Sequence, residues 1–79
     1  MHVTTTFRHM APSDPLKTHA EERLHRLSKY FHEGAEAHVV MAVEKFHHNV
    51  EITINAFGLA IRGCGSSGDM YSSLDQAVD

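Results

Sequence analysis

The sequence predicts an α+β domain of order β-α-β-β-β-α, a four-stranded mixed sheet with two helices packed on one of its faces. Three observations carry that prediction. Apolar side chains alternate with period two in His2 to Arg8 and again between Glu36 and Cys64, the spacing of half-buried strands. Between those stretches Leu16, Ala20, Leu24, Leu27 and Phe31 step by four, four, three and four, drawing one stripe along a 3.6-residue helix. Finally, 79 residues, of which 42% are hydrophobic and 22% charged, suffice for one small core and exclude a second domain.

The first strand, His2 to Arg8, turns Val3, Thr5 and Phe7 to one side and Thr4, Thr6 and Arg8 to the other. Ser13 or Asp14 then caps the first helix, whose opening turn accepts Pro15 because no amide donor is needed there. Glu22 stands at i,i+4 to Arg26, and Gly34 occupies the place of a left-handed C-terminal cap, so the helix is expected to end between Phe31 and Glu33. Three strands follow: Glu36 to Lys45, His48 to Ala56 and Leu59 to Cys64. Phe57-Gly58 reads as one hairpin turn and His47-His48-Asn49 as the other. Gly63, Gly65 and Gly68 mark the exit from the sheet, and Ser66 or Ser67 caps a last helix with Met70, Leu74, Ala77 and Val78 inward and Asp69 in its first turn. About three turns of that helix fit before Asp79, so it reads as truncated at its C-terminus. A helix between strands one and two implies a right-handed parallel crossover, and the tight turns make the other pairings antiparallel.

Composition narrows the function classes. Cys64 is the sole cysteine, which excludes an internally stapled secreted domain and points to a reducing cytoplasm. No apolar run approaches the length of a membrane span. Seven Lys and Arg against ten Asp and Glu give a net charge of −3, which protonation of all eight histidines would turn into +5. The histidines show no HxxxH, HxH or CxxC spacing, and His25 and His32 lie two turns apart, roughly 10 Å, so no metal site is expected. Cys64 has no base specified beside it and reads as a small, semi-buried residue at a strand end. No catalytic constellation and no cofactor or small-molecule site emerges. The open sheet face would carry Thr4, Thr6, Arg8, His38, Glu44, Asn49, Glu51, Thr53, Asn55 and Arg62, without an aromatic on which a base could stack. Lys17, Arg26 and Lys29 mark the outer side of helix one. On residue pattern alone, phosphate contact competes there with the commoner arrangement, a solvated face paired with Glu21 and Glu22.

Several strings carry a resemblance: Leu16-Lys17, Glu21-Glu22-Arg23-Leu24, Lys29-Tyr30-Phe31, Val43-Glu44-Lys45 and Asp69-Met70-Tyr71, at their separations and without obvious gaps from Met1 to Asp79. In these the chain closely resembles the ribosome hibernation promoting factor family, also called ribosome-associated inhibitor A, protein Y or sigma-54 modulation protein. The resemblance implies a single ribosome-binding domain over residues 1–79, akin in plan to double-stranded RNA-binding domains. It implies a non-enzymatic, cytoplasmic translation inhibitor that binds the 30S subunit at 16S ribosomal RNA and occludes messenger and transfer RNA sites in stationary phase or stress. Arg8, Lys17, Arg23, Lys29, Lys45 and Arg62 stand where the family places basic residues, and Arg26 at another commonly basic position, which makes these the RNA-binding candidates. Tyr30 and Phe31 resemble packing residues, and Asp69-Met70-Tyr71 the cap and first turn of helix two. A generic duplex-RNA module and a protein-interaction domain are the competing readings.

Overall fold

The computed structural model describes residues 1–78. Its elements are β1 (His2–Arg8), α1 (Asp14–Leu27), a 3-10 turn (Ser28–Tyr30), β2 (Glu36–Glu44), β3 (His47–Ala56), β4 (Leu59–Ser67) and α2 (Met70–Val78). The sheet order is β1-β2-β3-β4, with β1 parallel to β2 and the other pairs antiparallel. The expected element order, sheet and shared helix face are all present. Leu16, Ala20 and Leu24 from α1 and Met70, Leu74 and Ala77 from α2 meet Ala37, Val39, Met41, Val50, Ile52 and Ile54 of the sheet in one core.

Ser13 is the N-cap of α1, its Oγ accepting from the Leu16 N–H at 3.4 Å, with Pro15 in the first turn. The helix ends sooner than its apolar stripe suggests. After Leu27 the chain tightens into the 3-10 turn, and Ser28 closes α1 by donating from Oγ to the His25 carbonyl at 2.6 Å. Gly34 is not a left-handed cap: the only glycine with positive φ among the described residues is Gly58. Nor do Glu22 and Arg26 form an ion pair among the described residues.

Two further expectations are corrected at the sheet. The β2–β3 turn is Lys45-Phe46, closed by the Glu44–His47 pair, so His47, His48 and Asn49 already belong to β3. Lys45 takes φ +54° to make it. The other hairpin turns at Phe57-Gly58 as expected, with φ +55° and +74°, the doubly left-handed form that matches strand twist. Strand β4 continues three residues past Cys64, to Ser67. Its glycines therefore are not an exit signal.

The reason for those glycines is close packing. A Cβ on Gly63 would collide with the Ala77 carbonyl, and one on Gly65 with the Ser73 carbonyl, so α2 lies with its backbone pressed onto β4. Ser73, wholly buried, donates from Oγ to the His48 carbonyl at 2.6 Å. Asp69, rather than Ser66 or Ser67, caps α2: its Oδ2 accepts from the Ser72 N–H at 3.1 Å and the Ser72 hydroxyl at 2.9 Å. Those bonds hold the Asp69 carboxyl below the usual carboxylate range. The Ser66 N–H, on the outer edge strand, donates to Gln76 Oε1 at 3.1 Å, which ties that edge to the helix. Cys64 is exposed, not semi-buried, and lies mid-strand opposite Glu51.

Candidate nucleic-acid interface

The seven basic candidates do not converge on one patch. Three of them gather at the end of the sheet where both helices begin. Arg8 closes β1 beside Ala42, Lys45 stands in the β2–β3 turn, and Lys17 lies in the second turn of α1 against a hollow lined by Val3, Thr5 and Phe7. All three are exposed. Arg26 and Lys29 form a second group at the opposite end of α1. Arg26 shares a shallow depression with Thr18, Glu21, Glu22 and His25, and the Lys29 ammonium sits 5.2 Å from the Tyr30 ring centroid.

Arg23 and Arg62 are differently placed, since each already has a carboxylate partner. Arg23 bonds Asp75 of α2 through Nε and a terminal guanidinium nitrogen, both at 2.9 Å, while His19 Nε2 lies 3.2 Å from the same oxygen. Tyr71 meets the His19 ring edge-on at 5.0 Å, so this cluster clamps the two helices together across their outer seam. Hydrogen bonding from His19, then Arg23, holds the Asp75 carboxyl below its usual range. On the open sheet face Arg62 Nε lies 3.3 Å from Glu51 Oε1, with both side chains largely solvated. That face is polar as expected, with Thr4, His38, Thr53 and Arg62 forming one row across the strands.

The histidines likewise divide. His32 is bound into the loop before β2, its Nδ1 accepting from the Gly34 N–H at 3.0 Å and its ring edge-on to Phe57 at 4.9 Å. His25 is exposed on α1. Among the described residues no group of three His, Cys, Asp or Glu side chains is placed to hold a metal ion, and no helix is long and apolar enough to cross a membrane.

Two features of the site escape sequence reasoning. The clamp joins positions more than fifty residues apart, and nothing local marks Asp75 as the partner of His19 and Arg23. Phe46, 88% exposed at the hairpin tip, is the other. Its only sequence signal would have been a turn at Lys45-Phe46, and that pair lacks the Asn, Asp or Gly that such turns favour.

Residues 3–79 match the family described as Sigma 54 modulation protein / S30EA ribosomal protein. The chain belongs to this family. Similar curated relatives include the ribosome hibernation promoting factor of Acidithiobacillus ferridurans, 35% identical over 78 residues and covering 95% of this chain and 100% of the relative. That of Azotobacter vinelandii is 28% identical over 79 residues, covering 100% of this chain and 74% of the relative. Among solved structures, the N-terminal domain of Thermus thermophilus Protein Y has a TM-score of 0.89 at 25% identity, covering 100% of this chain and 89% of that one. A ribosomal subunit interface protein from Coxiella burnetii has a TM-score of 0.84 at 23% identity, covering 99% and 86%, and bears on the fold. Within the S30EA family plan, the basic residues of this chain sit mainly on α1 and its flanking turns, whereas α2 carries no Lys or Arg between Met70 and Val78.

Proposed function

We propose that this S30EA-family domain is a ribosome hibernation factor that binds the small subunit through 16S ribosomal RNA and blocks messenger and transfer RNA sites by occupying them. The observation that carries the reading is the family match along residues 3–79, together with relatives named as ribosome hibernation promoting factors. The mechanism it calls for is simple. A compact domain held by phosphate contacts excludes other ligands sterically, without bond making or breaking, and works in the cytoplasm where ribosomes are.

Arg8, Lys17, Arg26, Lys29 and Lys45 supply the contacts that need no prior rearrangement, because each is exposed and none holds a carboxylate among the described residues. Arg23 and Arg62 have unused guanidinium donors, but Asp75 and Glu51 partly neutralise them, so their phosphate contacts are worth less. Overall charge disfavours contact with RNA at long range, so affinity depends on where the cations sit rather than on their sum. Five such contacts set the slope of log affinity against log salt near −4. Co-sedimentation with purified 30S subunits across a salt series tests the proposal. Salt-sensitive pelleting with 30S, and no shift of plain RNA duplexes, is the expected result. Binding to duplex RNA alone would replace it with the generic module, and binding to neither would leave a protein-interaction domain.

A further inference from the structure

Phe46 is the most exposed large apolar side chain described, 88% against 66% for Tyr30 and Leu59 and 65% for Phe57. The other exposed aromatics have company. Phe57 stacks on Phe31 at 6.4 Å and meets His32, and Tyr30 lies beneath Lys29. Phe46 has no aromatic or cationic partner among the described residues and no place in the core. Lys45, which opens the turn that presents it, adopts φ +54°, the left-handed region that His9 and Phe57 also take.

The surroundings of the tip identify what such a ring can meet. A protein-docking aromatic belongs to a contiguous apolar patch of several hundred Å². Around Phe46 the neighbours are instead Lys45, His47 and Glu44, and Arg8 and His9 lie at the same end of the sheet. Arg8 is level with Ala42, three residues back along β2 from Lys45, about 10 Å at strand rise. Two cations, Lys45 and Arg8, stand at this end against the single carboxylate of Glu44, and a free ring there suits a nucleobase on its face with phosphates alongside. We propose that Phe46 is a stacking platform for an unpaired RNA base, with Lys45 and Arg8 on the adjoining phosphates. The inference rests on the ribosome reading and gives it a second kind of contact, aromatic rather than electrostatic.

The chain contains no tryptophan, so Phe46→Trp makes a single reporter at the site. The test measures 30S co-sedimentation of the parent, Phe46→Ala, Phe46→Leu and Phe46→Trp, and the emission of the Phe46→Trp protein on adding 30S subunits. Every variant should keep the parent's melting temperature, because the side chain is exposed. Loss of the ring in Phe46→Ala and Phe46→Leu should weaken binding about 5- to 150-fold. Phe46→Trp should bind as the parent does, with quenched emission. Undiminished binding by Phe46→Leu overturns the proposal, and if Phe46→Ala alone is weak the tip instead fits an apolar protein socket. Unchanged emission from bound Phe46→Trp overturns it as well. A parent that fails to pellet with 30S defeats the ribosome reading and this inference with it, an outcome distinct from a parent that binds regardless of residue 46.

Discussion

The two helices share one face of the sheet but are attached to it by opposite means. Helix α1 stands on the side chains of Leu16 and Leu24, which fill the space between its axis and the strands. Helix α2 dispenses with that spacer where it crosses β4, because Gly63 and Gly65 let the Ser73 and Ala77 carbonyls approach the strand backbone. Polar groups follow the same division. Ser73, the Asp69 cap and the Gln76 bond to β4 all secure α2 in place, and it presents no Lys or Arg over its described length. On α1 and its flanking turn the polar side chains Lys17, Arg26 and Lys29 point to solvent and hold nothing down. Polar fastenings are concentrated at α2, whereas the cations proposed to face the ribosome belong to α1 and the sheet end beside it.

Opposite substitutions should therefore break the two attachments. Leu24→Ala empties the space beneath α1 and is expected to cost about 3 kcal/mol in urea unfolding, within the range for buried leucines. At α2 the damaging change is the addition of a methyl group. Gly65→Ala forces helix and strand apart and should cost about 2 kcal/mol. Gly68→Ala is the control, with nothing near its Cβ, and should stay within about 0.5 kcal/mol of the parent. Equal tolerance of alanine at both glycines would show that α2 does not depend on close backbone approach.

Beyond the shared core, the His19–Arg23–Asp75 clamp joins the two helices through polar side chains, and its effect should be smaller and dependent on pH. Because the folded-state carboxyl of Asp75 lies below its ordinary 3.8, its contribution is fully present above that value and is lost as pH falls through the folded value. Asp75→Asn should cost less than about 1 kcal/mol near neutral pH, as partly exposed ion pairs do. As pH falls below 3.8 the variant and parent stabilities should draw together, meeting below the folded value, the remaining acid sensitivity including that of Asp69. Parallel curves across that range would mean the clamp adds nothing.

The same contrast explains what could be read from the chain in advance. Alternation in β1 and the four-residue steps of α1 are side-chain patterns, and side chains are what hold those elements, so the sequence displays them directly. Gly63, Gly65, Ser66 and Ser67 form a strand and a contact surface, yet their composition is that of a loop. Their purpose is visible only once α2 lies on top of them. Lys45-Phe46 turns without the usual turn residues, which moved the expected hairpin turn to His47-His48-Asn49 and hid Phe46. The basic candidates came from family resemblance, but their pairing could not. Whether Arg23 is free or bound to Asp75 depends on two helices meeting, a matter of tertiary packing that no local spacing encodes.

The smallest effect on the fold should accompany a decisive effect on binding. Lys17→Glu combined with Lys29→Glu changes only exposed groups near the two ends of α1 and should leave the melting temperature within a degree or so of the parent. Measured by 30S co-sedimentation over a salt series, the double variant should bind more weakly, and its log-log slope should be shallower by about 1.4 to 1.8, the share of two phosphate contacts. An affinity and slope equal to the parent's, from a protein that is still folded, would contradict the assignment of the ribosome-facing surface to α1.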